Sequence, residues 1–310
     1  MNLNRRATNG SASFFTPMLS RRHLLASGLG SSLLAGCTMS PDVDHAGPDA
    51  PRAMPLARPV RTAWVFSSGG PRGFVHVGVI KAMAELGLVP DLLVGASIGS
   101  LVAVVYASGR SAGDIERMAL DIQPISLGRL AMGGNERFSG SAIADLVRTE
   151  IGGTLLERLR IPVVCVAARR SDSQLVGFNA GDAGLAVQAS CAIEGQFTPV
   201  RIRGDQYVDA DLYQPMPVRL ARQLGATRVL AIDASAHEDN APAGTERYRP
   251  GDLRKRALTE PDARSANLTL HPDFGYYVNL SREFRERAIA AGYRTTLAAA
   301  AQLAALHAPT

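Results

Sequence analysis

Two tight turns, a short distance apart, constrain the fold of this chain more than any other feature. A glycine-rich turn begins at Ser67, and a Gly-x-Ser-x-Gly turn is centred on Ser97. Each turn follows a short apolar run and precedes a stretch with helical spacing of apolar residues. Because the order is strand, turn, helix, strand, turn, helix, we expect parallel strands joined by right-handed crossovers.

The turn at Ser97 has the pattern of a nucleophile elbow, in which small neighbours let a strand turn sharply into a helix. The glycine-rich turn upstream offers clustered backbone N–H groups near a helix start, which suit a developing negative charge. Together the two turns indicate a serine acyl hydrolase whose oxyanion hole lies about one βα unit before the nucleophile.

The first 36 residues have the pattern of an export signal. Arg21 and Arg22 precede a short apolar run that ends in Leu-Ala-Gly-Cys37. This order is typical of a secretory signal, and the run is too short to span a bilayer. The ending resembles the lipobox of bacterial lipoproteins, and Ser-Arg-Arg-x-Leu-Leu resembles a twin-arginine signal. We therefore expect a lipid anchor at Cys37 and a location in the bacterial cell envelope, at the periplasmic face of the outer membrane.

The basic character of the whole chain belongs to this leader. Residues 1–36 hold four of the 33 basic side chains and none of the 28 acidic ones, so the remainder is close to neutral. A folded nucleic-acid binder would instead concentrate basic residues on its domain. We therefore expect no nucleic-acid partner.

The chain beyond the leader divides into two parts. Residues 37–59 are rich in proline, alanine, aspartate and glycine, which predicts a flexible tether. Residues 60–310 alternate short apolar runs with helical patterns, which predicts one α/β domain. Within it, residues 111–159 are predicted to be mostly helical, residues 236–252 a surface loop, and residues 281–306 one long amphipathic helix.

A catalytic serine needs a base, and the chain offers more than one. His237 and His271 lie in polar surroundings, and Asp233 is available to orient either ring, as in an α/β-hydrolase triad. Asp209, which follows a predicted hairpin, is the competing base. His76 lies just inside the first helix and is assigned to packing or to a hydrogen bond at the helix start.

The cysteines indicate neither a cofactor nor a required disulfide. Cys165 and Cys191 lie among small or apolar residues, which predicts buried free thiols. No group of cysteines and histidines has the spacing of a metal site, so we expect no metal and no cofactor.

Four separated segments resemble the patatin-like phospholipase family. Residues 68–73 are similar to its Gly-Gly-Gly-x-Arg-Gly oxyanion loop, and Gly95–Gly99 is similar to its nucleophile elbow. Residues 189–200 resemble its Ala-Ser-x-Ala-Ile-Pro segment, and Asp209–Pro217 resembles its Asp-Gly-[Gly/Ala] region. The tail at 272–293 resembles the bacterial branch of the family.

This resemblance implies a patatin-like three-layer α/β/α domain with a central, mostly parallel sheet. It implies a Ser97 and Asp209 dyad that cleaves lipid esters without a histidine, as phospholipases and lysophospholipases of the family do. The oxyanion donors are then the backbone amides of Gly69, Gly70 and Arg72. The Arg72 side chain either contacts a phosphate head group or braces the loop through an ion pair.

Three positions depart from the family pattern. Ser68 replaces the first glycine of the loop, Glu194 replaces a proline, and Ala210 replaces the glycine after the dyad aspartate. If the position of Ala210 needed a positive φ, alanine there would misaim Asp209. Asp211 adds a second carboxylate, which is expected to raise the pKa of Asp209 by repulsion.

Three hypotheses follow from these patterns. The first is a membrane-anchored lipid acyl hydrolase, whose expected partners are a lipid or ester substrate and the membrane. The second is a Ser–His–Asp esterase that uses His237 or His271. The third is a non-catalytic envelope lipoprotein, in which Ala210 marks decayed chemistry. The sequence leaves the oligomeric state open.

Overall fold

An eight-stranded sheet forms the centre of the computed structural model, which describes residues 43–122, 136 and 138–308. All of these residues belong to one unit, Ser40–Thr310. The expected signal at 1–36 and the expected lipid site at Cys37 lie outside the described residues. The strands are β1 (Thr62–Phe66), β2 (Leu92–Ala96), β3 (Val163–Arg169), β4 (Leu175–Phe178), β5 (Val200–Ile202), β6 (Asp205–Asp209), β7 (Arg228–Ile232) and β8 (Leu268–Leu270).

The sheet is mostly parallel, as the sequence predicted. Its order is β5-β6-β3-β2-β1-β7-β8, and β4 also pairs with β3. Strands β1, β2, β3, β7 and β8 form parallel pairs, whereas β4, β5 and β6 pair antiparallel. The predicted hairpin is formed by β5 and β6, and it ends at Asp209. The adjacent carboxyl ends of β1 and β2 carry the glycine-rich turn and the Ser97 turn.

Helices cover both faces of the sheet, because its central strands are apolar on both sides. In β1, Trp64 and Phe66 join the larger core, and Ala63 and Val65 join the smaller one. This confirms the three-layer α/β/α fold. The helices are α1 (Phe74–Glu85), α2 (Ile98–Ala107), α3 (Ala112–Asp121), α4 (Ser141–Glu150), α5 (Ala183–Ser190), α6 (Val218–Gln223), α7 (Arg249–Ser265), α8 (Arg282–Ala298) and α9 (Ala300–His307).

The backbones of helices α1 and α8 approach each other closely at two glycines, Gly78 and Gly292. A Cβ atom added to Gly78 would lie 1.9 Å from the Ile289 carbonyl oxygen. One added to Gly292 would lie 2.1 Å from the Val75 carbonyl oxygen. Both distances are far below any van der Waals contact, so side chains at these positions would push the helices apart. This contact holds α8 against the helix that follows the glycine-rich turn.

Two sequence predictions for the second half of the chain are wrong. The predicted loop at 236–252 already contains the start of α7, which runs from Arg249 to Ser265. Its few buried residues are the polar Thr259 and Asp262, so no apolar period reveals it. The predicted single helix at 281–306 is two helices divided at Ala299. The break lies in an alanine run, where no side chain signals it.

The described part of the predicted tether, residues 43–59, lies against the domain. His45 forms a bridge with Ile202, and Arg52 forms one with Ala180. Ala50 is buried. These backbone hydrogen bonds attach the segment to the domain without forming a long strand, which composition alone did not reveal.

Cys165 and Cys191 are both buried and free, as predicted. The part of the chain that the structure describes has no helix that is both long and apolar enough to cross a bilayer.

We predict that Gly292→Ala destabilises the protein by about 1–3 kcal/mol, because the new methyl group overpacks the α1–α8 contact. The free energy of unfolding in urea measures this. Gly251→Ala is the matched control, since nothing lies within 4 Å of a Cβ atom there. Its expected effect is neutral or stabilising by up to about 1 kcal/mol, because alanine favours helix. Equal stability of the Gly292→Ala variant and the original chain would contradict the packing argument.

Candidate active site

Ser97 occupies a strained backbone position between β2 and α2. Its φ is 52° and its ψ is −127°, a conformation that residues other than glycine rarely adopt. Such strain persists only where the surroundings enforce it. Here the Ser97 amide donates to Ser190 Oγ at 2.9 Å, and the Ser97 carbonyl accepts from Ser100 Oγ at 2.7 Å. The structure therefore contains the elbow that the sequence predicted.

The two glycines of the elbow are required by close backbone approach. A Cβ atom on Gly95 would lie 2.5 Å from the Gly99 carbonyl oxygen. One on Gly99 would lie 2.3 Å from the carbonyl oxygen of Phe66, the last residue of β1. The turn after β2 is thus packed directly on the end of β1, where the glycine-rich loop starts.

Ser190 fixes the elbow from the far side, a role that the sequence analysis missed. Its hydroxyl donates to the Val166 carbonyl at 2.6 Å and accepts from the Ser97 amide. It thereby connects β3 to the nucleophile turn. The available signal was the Ala-Ser pair in the third segment that resembles the family.

Strand pairing brings Asp209 to Ser97. In β3, Val166 pairs with Ala96, the residue before Ser97, and Ala167 pairs with Asp209. Asp209 is buried, and its Oδ1 accepts from the Asp211 amide at 2.9 Å. Among the described residues, its Oδ2 has no partner at normal hydrogen-bond geometry, although the Ser97 hydroxyl is near enough to lower the pKa of Asp209. One carboxylate oxygen is therefore available to the serine.

The pKa of Asp209 is raised to about 7. Burial is the main cause, and repulsion from Asp211 adds to it, as the sequence analysis expected. The hydroxyl of Ser97, the Asp211 amide and the charge of Lys255 act in the opposite direction. A carboxylate with a pKa near neutrality is suited to take and return a proton.

Ser68, the first departure from the family pattern, joins a polar network beside this carboxylate. Its hydroxyl donates to Asp211 Oδ1, and Lys255 Nζ donates both to that oxygen and to Ser68 Oγ, the latter at 2.9 Å. Lys255 comes from α7, the helix that sequence patterns missed. The network ties the glycine-rich loop to the segment that carries Asp209.

Ala210 does not misaim Asp209. It begins a short 3₁₀ helix, Ala210–Leu212, and is fully buried. Among the described residues, the non-glycine positions with positive φ are Ser97, Ser173 and Arg203. The position after Asp209 therefore needs no left-handed conformation. The expected penalty for alanine there is absent, because the chain leaves β6 with an ordinary helical turn.

The glycine-rich loop forms a 3₁₀ turn, Gly70–Gly73, which corrects one of the three predicted oxyanion donors. The Arg72 amide donates to the Gly69 carbonyl at 3.1 Å and is thus taken up by the turn itself. The amides of Gly69 and Gly70 donate to no described residue. Ile98, at the first position of α2, offers a further amide without an intrahelical partner.

The Arg72 side chain braces the loop rather than reaching outward. Its Nε donates to the Ala234 carbonyl at 2.8 Å, and its Nη1 donates to the Gly275 and Tyr276 carbonyls at 3.1 Å. The guanidinium also lies 4.4 Å from the centre of the Phe274 ring. Burial lowers its pKa. The expected ion pair is replaced by these carbonyls, and the side chain is too enclosed to favour a head-group contact.

His76 supports the loop from below and is not placed as a base. Its Nε2 donates to the Ser67 carbonyl at 2.9 Å. Burial lowers the pKa of His76 to about 4, so the ring is neutral at physiological pH. This confirms its assignment to packing and a hydrogen bond.

The alternative triad residues form a separate cluster. His237 Nε2 lies 3.1 Å from Asp233 Oδ2, and His271 Nδ1 lies 3.1 Å from the Asp233 carbonyl oxygen. Burial alone would raise the pKa of Asp233, but hydrogen bonds from both histidines and Ser235 hold it below its ordinary value. Among the described residues, no hydrogen bond joins Ser97 to the imidazole of His237 or of His271.

The same cluster is the group of potential metal ligands that the described residues contain, with ligand atoms within 4.8 Å of one another. The two imidazole rings are stacked, 3.9 Å apart and inclined by 12°. A metal ion lies near the plane of each imidazole that binds it, and near-parallel stacked rings cannot both satisfy that. The geometry therefore does not favour a shared metal.

An apolar cavity of about 560 Å³ opens at Ser97. Polar groups on its wall are few: the Ser97 hydroxyl, the buried thiol of Cys191 and Gln196. Such a cavity can hold a long apolar chain beside a nucleophile. Much of the remaining wall is aliphatic or aromatic, including Val77, Leu101, Ile115, Met118, Ile143 and Phe197.

A known protein family matches the part of the chain that carries this candidate site. The sequence profile described as "Patatin-like phospholipase" matches residues 64–222, which include the loop, the elbow, Ser190 and Asp209. That span is just over half of the chain.

Curated relatives are about 30% identical to this chain over the aligned stretch only. An uncharacterized NTE family protein of Mycobacterium tuberculosis is 29% identical over 181 residues, which cover 57% of this chain and 50% of that protein. Lysophospholipase NTE1 of Coccidioides immitis is 30% identical over 195 residues, 58% of this chain and 12% of that protein. The chain thus spans half the length of the first relative and a small part of the second.

A solved structure supports the fold. VipD from Legionella pneumophila aligns with 86% of this chain and 71% of its own, with a TM-score of 0.58 and 13% sequence identity. At that identity the likeness concerns the fold alone.

We predict that Asp209→Asn stabilises the protein at pH 8. A carboxyl whose pKa is raised on folding binds its proton more tightly in the folded state. Its contribution to stability is therefore complete below the ordinary value of 3.8 and is lost as pH rises to about 7. The variant should gain roughly 1–3 kcal/mol relative to the original chain between pH 5 and pH 8.

Denaturant unfolding at the two pH values measures this gain. Asp121→Asn is the control, because the Asp121 side chain is largely exposed. Its replacement should change the free energy of unfolding by the same amount at both pH values. The raised pKa is refuted if both variants respond equally to pH.

Proposed function

Because this chain belongs to the patatin-like phospholipase family, we propose that it is a serine acyl hydrolase that cleaves lipid esters. Ser97 is the nucleophile and Asp209 the base. One observation carries the proposal: a buried carboxylate with a pKa near 7 and an unpartnered Oδ2 lies beside a strained serine that opens into an apolar cavity. The raised pKa matches the Asp209 carboxylate to proton transfer at neutral pH.

Acylation transfers one proton and exchanges one bond. The Ser97 hydroxyl gives its proton to Asp209 Oδ2 as its Oγ bonds to the ester carbonyl carbon. The carbonyl oxygen then carries negative charge, which the free amides of Gly69 and Gly70 and the helix-start amide of Ile98 are suited to stabilise. The ester C–O bond breaks, and the leaving alcohol takes the proton from Asp209.

Deacylation repeats these steps with water. Asp209 accepts a proton from a water molecule, whose oxygen bonds to the acyl carbon. The Ser97 ester bond then breaks, the fatty acid leaves, and Asp209 returns the proton to Ser97. The Ser68–Asp211–Lys255 network holds the segment after Asp209 throughout, and the positive charge of Lys255 keeps the pKa of Asp209 from rising further.

The proposed substrate is a phospholipid or lysophospholipid. The apolar cavity beside Ser97 suits a fatty acyl chain. The name of the Coccidioides relative, a lysophospholipase, supports the same class.

We predict that a fluorophosphonate probe labels the original chain and not Ser97→Ala. Asp209→Asn should lose nearly all labelling, because Ser97 then has no base. Labelling of the original chain should increase as pH is raised through about 7, where Asp209 becomes a carboxylate. Gel fluorescence after timed labelling measures each rate.

Two controls separate the alternatives. Ser108→Ala, just after α2, removes a serine hydroxyl whose hydrogen bond among the described residues goes to the Val105 carbonyl, and this variant should label normally. The double variant His237→Ala and His271→Ala should keep its labelling, whereas a Ser–His–Asp esterase would lose it. Absence of labelling in the original chain would favour a non-catalytic lipoprotein.

We also propose that Cys37 carries a lipid that anchors the protein at the periplasmic face of the outer membrane. The lipobox-like Leu-Ala-Gly-Cys sequence supports this placement, and paired arginines support export by the twin-arginine route.

Cys37→Ser should therefore move the protein from the membrane fraction to the soluble fraction of a bacterial host and abolish incorporation of radiolabelled palmitate. Cys165→Ser is the control, since that thiol is buried in β3 and should leave both readouts unchanged. Palmitate incorporation that persists in Cys37→Ser would contradict the anchor.

A further inference from the structure

The segment 275–280 exposes apolar side chains beside the cavity. Tyr277 is 61% exposed, Val278 47% and Leu280 50%. Isolated exposed apolar residues are common on proteins, but three within four positions form a local patch. We name this segment the apolar loop.

The position of the apolar loop is fixed by the oxyanion loop. Arg72 Nη1 binds the Gly275 and Tyr276 carbonyls, so the two loops share one buried guanidinium. Leu280, at the other end of the apolar loop, lines the cavity that opens at Ser97. Leu280 therefore lies at the wall of the candidate active site, and the exposed Tyr277 and Val278 precede it directly in the chain.

The start of α7 extends this patch. Tyr276 donates to Asp252 Oδ2 at 2.5 Å, which joins the apolar loop to α7. Burial and this hydrogen bond raise the pKa of Tyr276 to about 12, and smaller contributions come from Tyr248 and Tyr277 nearby. Tyr248 and Leu253 are themselves exposed apolar residues.

Unpaired arginines accompany these residues. Arg247, Arg249 and Arg254 are exposed, and none forms an ion pair with a described residue. The Arg247 guanidinium lies 4.6 Å from the centre of the Tyr248 ring. Exposed tyrosine and aliphatic side chains together with arginines that form no ion pair are a composition that favours the interface of an anionic bilayer.

We propose that the apolar loop and the start of α7 dock on an anionic lipid surface, with the cavity entrance facing the bilayer. Tyr277 and Val278 insert among the lipids, while Arg249 and Arg254 contact anionic head groups. The significance of this orientation rests on the proposed function, since a lipid would pass from the bilayer to Ser97 without crossing bulk water. This contact is independent of the expected anchor at Cys37.

Vesicle co-sedimentation tests the proposal with the full chain carrying Cys37→Ser, so that no lipid anchor contributes. The vesicles contain phosphatidylcholine with or without phosphatidylglycerol. Tyr277→Ser with Val278→Ser should weaken binding by about tenfold or more, because two inserted apolar side chains are lost. Arg249→Gln with Arg254→Gln should weaken binding only to vesicles that contain phosphatidylglycerol.

Val89→Ser is the matched control. Val89 is 61% exposed, as Tyr277 is, but it precedes β2, whereas Ser97 follows β2, so the two residues lie at opposite ends of that strand. Its vesicle affinity should stay unchanged. Equal binding by the Tyr277/Val278 variant and the Val89 variant overturns the proposal, as does equal binding to both kinds of vesicle by the original chain.

Two measurements separate this proposal from the proposed function. Ser97→Ala should bind vesicles like the original chain, because docking needs no chemistry. The Tyr277/Val278 variant should hydrolyse a soluble short-chain ester within about twofold of the original rate, because neither residue touches Ser97. Loop-dependent vesicle binding by a chain that hydrolyses no ester would support docking and refute the hydrolase.

Discussion

The strained backbone of Ser97 is the constraint on which the rest of the site depends. A serine with φ of 52° is held only by its surroundings, and here two glycines, a helix start and the Ser190 hydroxyl hold it. The same packing presses the elbow against the end of β1, where the glycine-rich loop begins. One enforced turn therefore fixes the position of Ser97 relative to the glycine-rich loop, and pairing with β3 brings Asp209 to Ser97.

Burial of the Asp209 carboxylate destabilises the folded protein, and polar and charged groups close to it reduce that cost. Asp211 raises the pKa of Asp209, while Lys255 lowers it and binds both Asp211 and Ser68. The departure at Ser68 is thus part of a local charge network, because glycine would leave Lys255 and Asp211 without that hydroxyl. The pKa of Asp209 therefore lies near 7 because burial and Asp211 raise it while Lys255 and the hydrogen-bond donors lower it.

Local rules in the sequence predicted the parts of the site that depend on backbone turns and apolar strands. The elbow at Ser97, the parallel strands and the hairpin before Asp209 all follow from spacing and residue size. Lys255 and Ser190 were missed because their roles arise from contacts between distant segments. The amide of Arg72 was assigned wrongly, since a glycine-rich motif does not reveal that the loop tightens into a 3₁₀ turn and uses that N–H itself.

Arg72 shows why the role of a motif residue cannot be assigned from its spacing in the sequence alone. Its amide closes the oxyanion loop, and its guanidinium holds the backbone of the apolar loop through two carbonyls. A residue placed this way couples the geometry around Gly69 and Gly70 to the position of segment 275–280. One buried side chain therefore connects the backbone of the glycine-rich loop to the backbone at the start of the apolar loop.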